Sequence, residues 1–175
     1  MKKLNRNEKG FTIIEVVLVL AIAGLIFMVV FLALPGLQRS QKDTQRKQDV
    51  GRLAAAVTTY QGNNKGLLPT TSDTDRTSLL NMLTSGGSSF NDPSTGQPYD
   101  LILSNPTDNV TYADDNTQHM YLVLNDGGTG VECELGTGSD DKHLSENRIV
   151  KADTAGSSFA IMARMADGSV YCQQG

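Results

Sequence analysis

Hydrophobic positions are spread very unevenly along the 175 residues of this chain. Residues 16–34 form a run of nineteen without a polar side chain, and between Phe11 and Leu34 only Thr12 and Glu15 interrupt. At 1.5 Å per residue, 11–34 would make a helix of about 36 Å, against roughly 30 Å of bilayer hydrocarbon. No second stretch of this kind follows, so the pattern predicts one membrane span and one domain outside it. Beyond Gln38 the apolar positions thin to Leu53, Ala54, Val57 and Tyr60, a stripe at helical spacing. The sequence therefore predicts one long helix in two halves, apolar over 11–37 and amphipathic over 38–61. Gly62, Asn63, Asn64 and Gly66 are expected to end it, because these residues tolerate left-handed or turn backbone. Gly24 lies mid-span and Pro35-Gly36 at its end; a proline there predicts a kink or a local opening.

The C-terminal pattern changes period. Residues 62–98 read as a turn-rich connection, in which Leu79, Leu80, Met82 and Leu83 suffice for a short helical turn. Over 99–175 the expected elements are strands at 99–103, 110–112, 118–124, 131–135, 159–165 and 169–173. Asp167-Gly168 is the hairpin turn between the last two. Small and polar residues mixed with large apolar ones imply a sheet covered on one face. The expected fold class is α+β, a long N-terminal α-helix packed on a C-terminal antiparallel β-sheet. The glycines and acids of 126–141 read as a surface loop containing Cys133.

Charge orients this layout. Residues 1–10 carry Lys2, Lys3, Arg6 and Lys9 against Glu8, a net of +3, which leaves −7 on the remainder of a chain of net −4. A basic segment ahead of an apolar helix favours the cytoplasmic side and puts the C-terminal domain outside. Residues 38–52 hold Arg39, Lys42, Arg46, Lys47 and Arg52 against Asp43 and Asp49. Arg39–Asp43 and Asp43–Lys47 have the spacing for helix-face pairs. The acidic outer domain argues against general binding to nucleic-acid backbone, although this basic segment leaves DNA as a partner that is allowed but not indicated.

Candidate chemistry is sparse. Cys133 and Cys172 lie too far apart for a redox pair and are too few for a thiolate zinc site. In an exported domain their expected state is one disulfide, two separate buried thiols being the alternative. His119 and His143 lack the neighbours of a triad or zinc motif. Asp126, Asp140 and Asp141 do not have EF-hand spacing. Asn109-Val110-Thr111 is a short glycosylation triplet of the kind that recurs by chance. No cofactor, metal or enzymatic activity is expected.

Glu15 is the informative residue. A carboxylate charged at membrane depth costs up to about 3 kcal/mol of insertion energy, unless it marks the headgroup boundary. The stretch Lys9-Gly10-Phe11-Thr12-Ile13-Ile14-Glu15, running directly into the apolar segment, closely resembles the class III signal of type IV pilins and the related type II secretion pseudopilins. The resemblance implies cleavage between Gly10 and Phe11 by a prepilin peptidase, usually with methylation of the new N-terminus. Residues 1–10 would then be a cytoplasmic leader. It gives Glu15 a partner, the terminal amine of Phe11 in a neighbouring subunit, a pairing that would set the register between helices. Gly24 falls where these helices commonly carry glycine, and residues 166–172 look like the last hairpin of pilins that close with a disulfide. Pro35 departs from the pattern, since many members place a helix proline where Leu32 stands here; Ile13 replaces the commoner leucine conservatively. An ordinary signal-peptidase site at Ala21-Ile22-Ala23 is disfavoured, because Glu15 breaks the apolar core and eleven apolar residues continue to Leu34.

The resemblance implies a structural subunit, first a single-pass protein of the cytoplasmic membrane and then part of an extracellular pilus. A major pilin is the leading expectation, serving adhesion, twitching motility or DNA uptake. A minor pilin or pseudopilin is the alternative, and a membrane-anchored enzyme or binding domain is a distant third. Its implied partners are copies of itself in a helical filament, the prepilin peptidase, the pilus assembly platform and minor pilins.

Overall fold

The computed structural model describes residues 10–105, 110–111, 117–125, 130–135, 147–151 and 158–175. The chain divides into two compact units, Met1–Gln38 and Arg39–Gly175. Helix α1 (Ile13–Asn63) supplies the whole regular structure of the first and opens the second. In the first unit its apolar side chains are exposed along the entire run from Ile13 to Leu37. The helix continues through Gly24 and Pro35 without a break in its assignment, so the opened alternative is not what forms. Pro35 removes one intrahelical bond, and the helical turns on both sides carry the chain past it.

In the second unit, α1 ends later than its small residues suggest. Gly62 stays helical, and the backbone turns left-handed at Lys65 (φ 58°) and Gly66 (φ 84°). The Gly66 N–H closes on the Gln61 carbonyl at 2.8 Å, satisfying one of the last orphan acceptors. Helix α2 (Asp73–Thr84) follows and is longer than the single turn expected. Ser72 caps it by accepting the Asp75 N–H at 3.2 Å.

The Asp75 carboxylate also ties this cap to α1. It accepts from the Thr70 hydroxyl (2.6 Å), the Thr70 N–H (2.8 Å) and the Tyr60 hydroxyl (2.7 Å). The Thr70 bonds first, and then Tyr60, hold its pKa down at about 2. An unfolded aspartate titrates near ~3.9. A depressed folded value means the contribution is present above ~3.9 and lost as pH falls toward about 2. Urea unfolding between pH 5 and 2 should therefore show a loss of stability that Asp75→Asn reduces. An unchanged acid slope in that variant would assign the loss to other carboxylates.

Among the described residues, seven strands follow: β1 (Asp100–Ser104), β2 (Val110–Thr111), β3 (His119–Leu124), β4 (Val131–Leu135), β5 (Asn147–Lys151), β6 (Phe159–Arg164) and β7 (Val170–Gln174). They form a four-stranded sheet in the order β1-β3-β6-β7 and a three-stranded sheet in the order β2-β5-β4. This differs from a wholly antiparallel sheet at one pair. β1 runs parallel to β3, with Asp100 opposite His119 and Ser104 opposite Val123, while the other pairings are antiparallel. Strand β5 has no counterpart in the expectation, because a five-residue Asn-Arg-Ile-Val-Lys segment carries little alternation.

The sheet is also covered on both faces rather than one. Met120, Leu122 and Leu124 of β3 and Phe159, Ile161 and Ala163 of β6 pack in one core with Val50, Leu53, Ala56 and Val57 of α1 and Leu79 and Leu83 of α2. The alternate positions Val123, Ala160 and Met162 face a second cluster with Val131 of β4. A strand buried on both sides reads as a near-continuous apolar run, as Phe159–Arg164 does.

Cys133 lies on β4, the strand expected at 131–135, rather than in the surface loop read over 126–141, and its disulfide to Cys172 of β7 joins the two sheets. Closing 39 residues of sequence separation is worth about 4 kcal/mol on the chain-entropy estimate. The double variant Cys133→Ser/Cys172→Ser should lose stability of that order in urea unfolding of the non-reduced protein. A loss below about 1 kcal/mol would mean that the sheets hold each other without the bond.

A buried polar latch fastens the connecting segment to α1. Arg46 is 0% exposed and so is Asp92. The Arg46 Nε and Nη2 groups donate to Asp92 Oδ1 at 2.9 and 2.7 Å, Nη2 also reaches Ser94 Oγ at 2.6 Å, and Nη1 reaches Asp43 at 3.1 Å. The other Asp92 oxygen accepts from the Thr95 N–H and hydroxyl and from the Thr117 hydroxyl. Asp43 thus pairs at i,i+3 with Arg46, rather than with Arg39 or Lys47, and its Oδ1 also accepts the Ala166 N–H at 2.6 Å. One turn on, Asp49 accepts from Arg52 (3.0 Å) and from the Tyr99 hydroxyl (3.2 Å). Desolvation raises the Asp49 pKa despite those bonds, and burial, with Asp49 beside it, pushes the Tyr99 hydroxyl well up. Arg52 further donates to the carbonyls of Leu83 and Ser89. The basic segment 38–52 is therefore partly core, and its net charge along the sequence omits the Asp92 carboxylate that folding brings to Arg46.

Candidate functional site

The first turn of α1 holds the predicted processing and assembly residues. Gly10 and Phe11 precede the helix in non-helical backbone, and Phe11 is 88% exposed. A Cβ built on Gly10 would meet nothing within 4 Å, so the fold of this chain makes no demand for glycine there. Thr12 is the N-cap and Glu15 the third helical residue. The Thr12 N–H and Thr12 hydroxyl both donate to Glu15 Oε2 at 2.8 Å, while the Glu15 N–H donates to Thr12 Oγ1 at 3.4 Å. This reciprocal arrangement is a capping box, which satisfies two of the helix's orphan donors. The negative carboxylate also sits at the positive end of the helix dipole.

Thr12 was no part of the expected site, yet Thr12-x-x-Glu15 is the sequence signature of such a box. Glu15 Oε1 accepts no hydrogen bond among the described residues. Beside the carboxylate runs an apolar groove of about 320 Å³, lined by Phe11, Glu15, Val16, Val19 and Leu20. The first turn and the residues before it thus present an exposed non-helical peptide bond, a carboxylate with one oxygen in use, and an apolar surface next to it.

A family profile described as the prokaryotic N-terminal methylation motif matches residues 5–31. The matched region includes Gly10, Phe11, Thr12 and Glu15 and most of the apolar run. The motif and the long helix packed on a C-terminal sheet match the type IV pilin and pseudopilin family. No curated protein and no solved structure matches the chain.

Of the two candidate histidines, His119 lies among the described residues. His119 Nε2 lies 3.6 Å from Asp100 Oδ2 across the parallel pair, with its ring edge-on to Tyr121 at 6.4 Å. Among the described residues, no group of three or more His, Cys, Asp or Glu side chains is placed to hold a metal ion. His143, Asn109, Asp126, Asp140 and Asp141 lie outside the described residues, as do leader residues 1–9; of the triplet Asn109-Val110-Thr111, only the backbone of β2 is described. Among the described residues, α1 is the one helix long and apolar enough to cross a membrane.

Proposed function

We propose that this chain is the structural subunit, a major pilin, of a type IV pilus, and that it polymerises through the N-terminal half of α1. Residues 1–10 act as the cytoplasmic leader, prepilin peptidase cuts between Gly10 and Phe11, and residues 11–37 span the membrane before becoming filament core. Residues 38–61 form the amphipathic half of the helix, 62–98 the connection and 99–175 the sheet region that faces outward. The assembly platform, minor pilins and further copies of the chain are its partners.

The observation that carries this reading is the run of exposed large apolar side chains along α1, from Ile13 to Leu37, with a capped carboxylate in its first turn. Such a surface needs lipid or other helices around it. Both partners in turn are what a subunit that leaves the membrane for a filament requires. Repeated head-to-tail contacts that do not close generate a filament from identical copies. Glu15 Oε1 and the groove beside it suit the Phe11 amine and apolar side chains of a neighbour.

Intact-mass and N-terminal analysis of protein sheared from cells tests the proposal. The expected result is an abundant filament protein beginning at methylated Phe11. A chain beginning at Gly24, or recovered as a soluble monomer, overturns it. The same processed N-terminus in trace amounts within filaments of another protein assigns a minor pilin, and its presence in a secretion apparatus assigns a pseudopilin.

A further inference from the structure

Once the latch around Arg46 is closed, three cations remain at the start of the second unit. Arg39 is exposed and Lys42 half-buried, and neither has an ion pair among the described residues. The Lys47 ammonium lies 5.5 Å from the centroid of the Tyr171 ring and helps to hold the Asp167 carboxyl below its ordinary range, where the Ser169 bonds are the larger cause. The β6–β7 turn reaches the same corner through the bond from Ala166 N–H to Asp43. Arg39, Lys42 and Lys47 therefore lie within nine residues at the corner where the second unit begins, and the β6–β7 turn meets this stretch at Asp43. Residues 39–175 as a whole carry a net −6.

We propose that this corner binds the phosphates of anionic lipid headgroups on the outer face of the membrane. The inference rests on the reading that residues 11–37 span the bilayer. Chain connectivity supplies the first argument. Arg39 follows Leu37 by two residues, which reach at most about 7 Å, and the headgroup layer is roughly 5–8 Å deep on each side. Lys42 lies one helical turn further and carries a long side chain whose charged head can extend to a phosphate while its stem packs on protein. Charge supplies the second argument. The unit as a whole is acidic and is repelled by an anionic surface, whereas this short stretch carries cations that such a surface attracts. The bound headgroups hold the domain against the membrane until assembly draws the subunit out.

The full chain in phosphatidylcholine vesicles containing phosphatidylglycerol, probed with spin-labelled forms of both lipids, tests this. The wild-type chain should gather phosphatidylglycerol in preference to phosphatidylcholine. Arg39→Gln/Lys42→Gln should reduce that preference by about fivefold per cation removed at low salt, with a smaller difference at high salt. Both residues lie outside the core, and the leader cations are unchanged in the pair, so the difference isolates the corner. Absence of a wild-type preference, or a preference untouched by the substitutions, overturns the proposal. Duplex DNA bound through these cations, with lipid preference unchanged by their loss, also overturns it and assigns the corner to nucleic acid. A chain that does not enter the vesicles at all overturns the spanning reading as well.

Discussion

Glu15→Gln is expected to leave membrane insertion and leader cleavage intact while lowering incorporation into filaments by about tenfold or more. The capping box explains why this substitution is selective. A glutamine at the third helical position can still accept the Thr12 donors through its amide oxygen, since such boxes use Glu or Gln. What it cannot do is carry the charge that the neighbouring Phe11 amine requires. Leaving one member of a buried charge pair alone costs about 2–5 kcal/mol, and about 1.4 kcal/mol is already tenfold. Glu15→Ala removes cap and charge together, so it should be at least as damaging and should also fray the first turn. Thr12→Val separates the two in the other sense, keeping the charge while losing the hydroxyl that donates to Oε2. Its effect should be the smaller one, of the order of a lost N-cap, about 1 kcal/mol. Quantifying sheared filament against total membrane-bound subunit for the three variants gives the order. Wild-type filament yield from Glu15→Gln would remove the inter-subunit ion pair from the account and leave Glu15 as a helix cap.

Asp92→Ala is expected to destabilise the second unit by about 3–5 kcal/mol, the range for stranding one member of a buried ion pair. Arg46 would keep Asp43 and Ser94 but lose both bonds to Asp92 Oδ1, at a site where neither side chain meets solvent. Thr95 and Thr117 would lose their shared acceptor as well. Against a typical total of about 5–15 kcal/mol, this is enough to unfold a marginal domain. Asp92→Asn, which retains an acceptor oxygen without the charge, should fall between wild type and alanine. The double variant Arg46→Met/Asp92→Leu should recover much of the loss, because apolar replacement of both partners leaves no unpaired charge. Urea unfolding of wild type, Arg46→Met, Asp92→Leu and the double variant completes a double-mutant cycle. A cost below about 1 kcal/mol for Asp92→Ala would show that water or nearby side chains replace the carboxylate, and that the latch does not fasten residues 90–98 to α1.

The two predictions touch opposite kinds of information. Everything needed for the first lies within four consecutive residues and the apolar run behind them. Thr12-x-x-Glu15 is a local signature, a nineteen-residue apolar stretch has few structural alternatives, and both could be read along the chain. The strands at β3, β6 and β7 were legible for the same reason, as short apolar runs bounded by turn residues such as Asp167-Gly168. The sequence by itself thus determined a long helix followed by a sheet, and it marks the segment to which processing and assembly are proposed to belong.

Only the tertiary structure decided how the second unit closes. Arg46 and Asp92 are 46 residues apart, and no local pattern distinguishes a buried arginine from an exposed one in a basic helix. The parallel pairing of β1 with β3 depends on a crossover connection, which periodicity does not encode. The second sheet, with β5 between β2 and β4, follows from pairing between segments whose own propensities are weak. Cys133 could be expected to bond Cys172, but that the bond ties two sheets together required knowing that β4 and β7 pair with different partners. Local signals are written in neighbouring residues; burial, charge pairing and strand order arise from segments that meet only when the chain has folded.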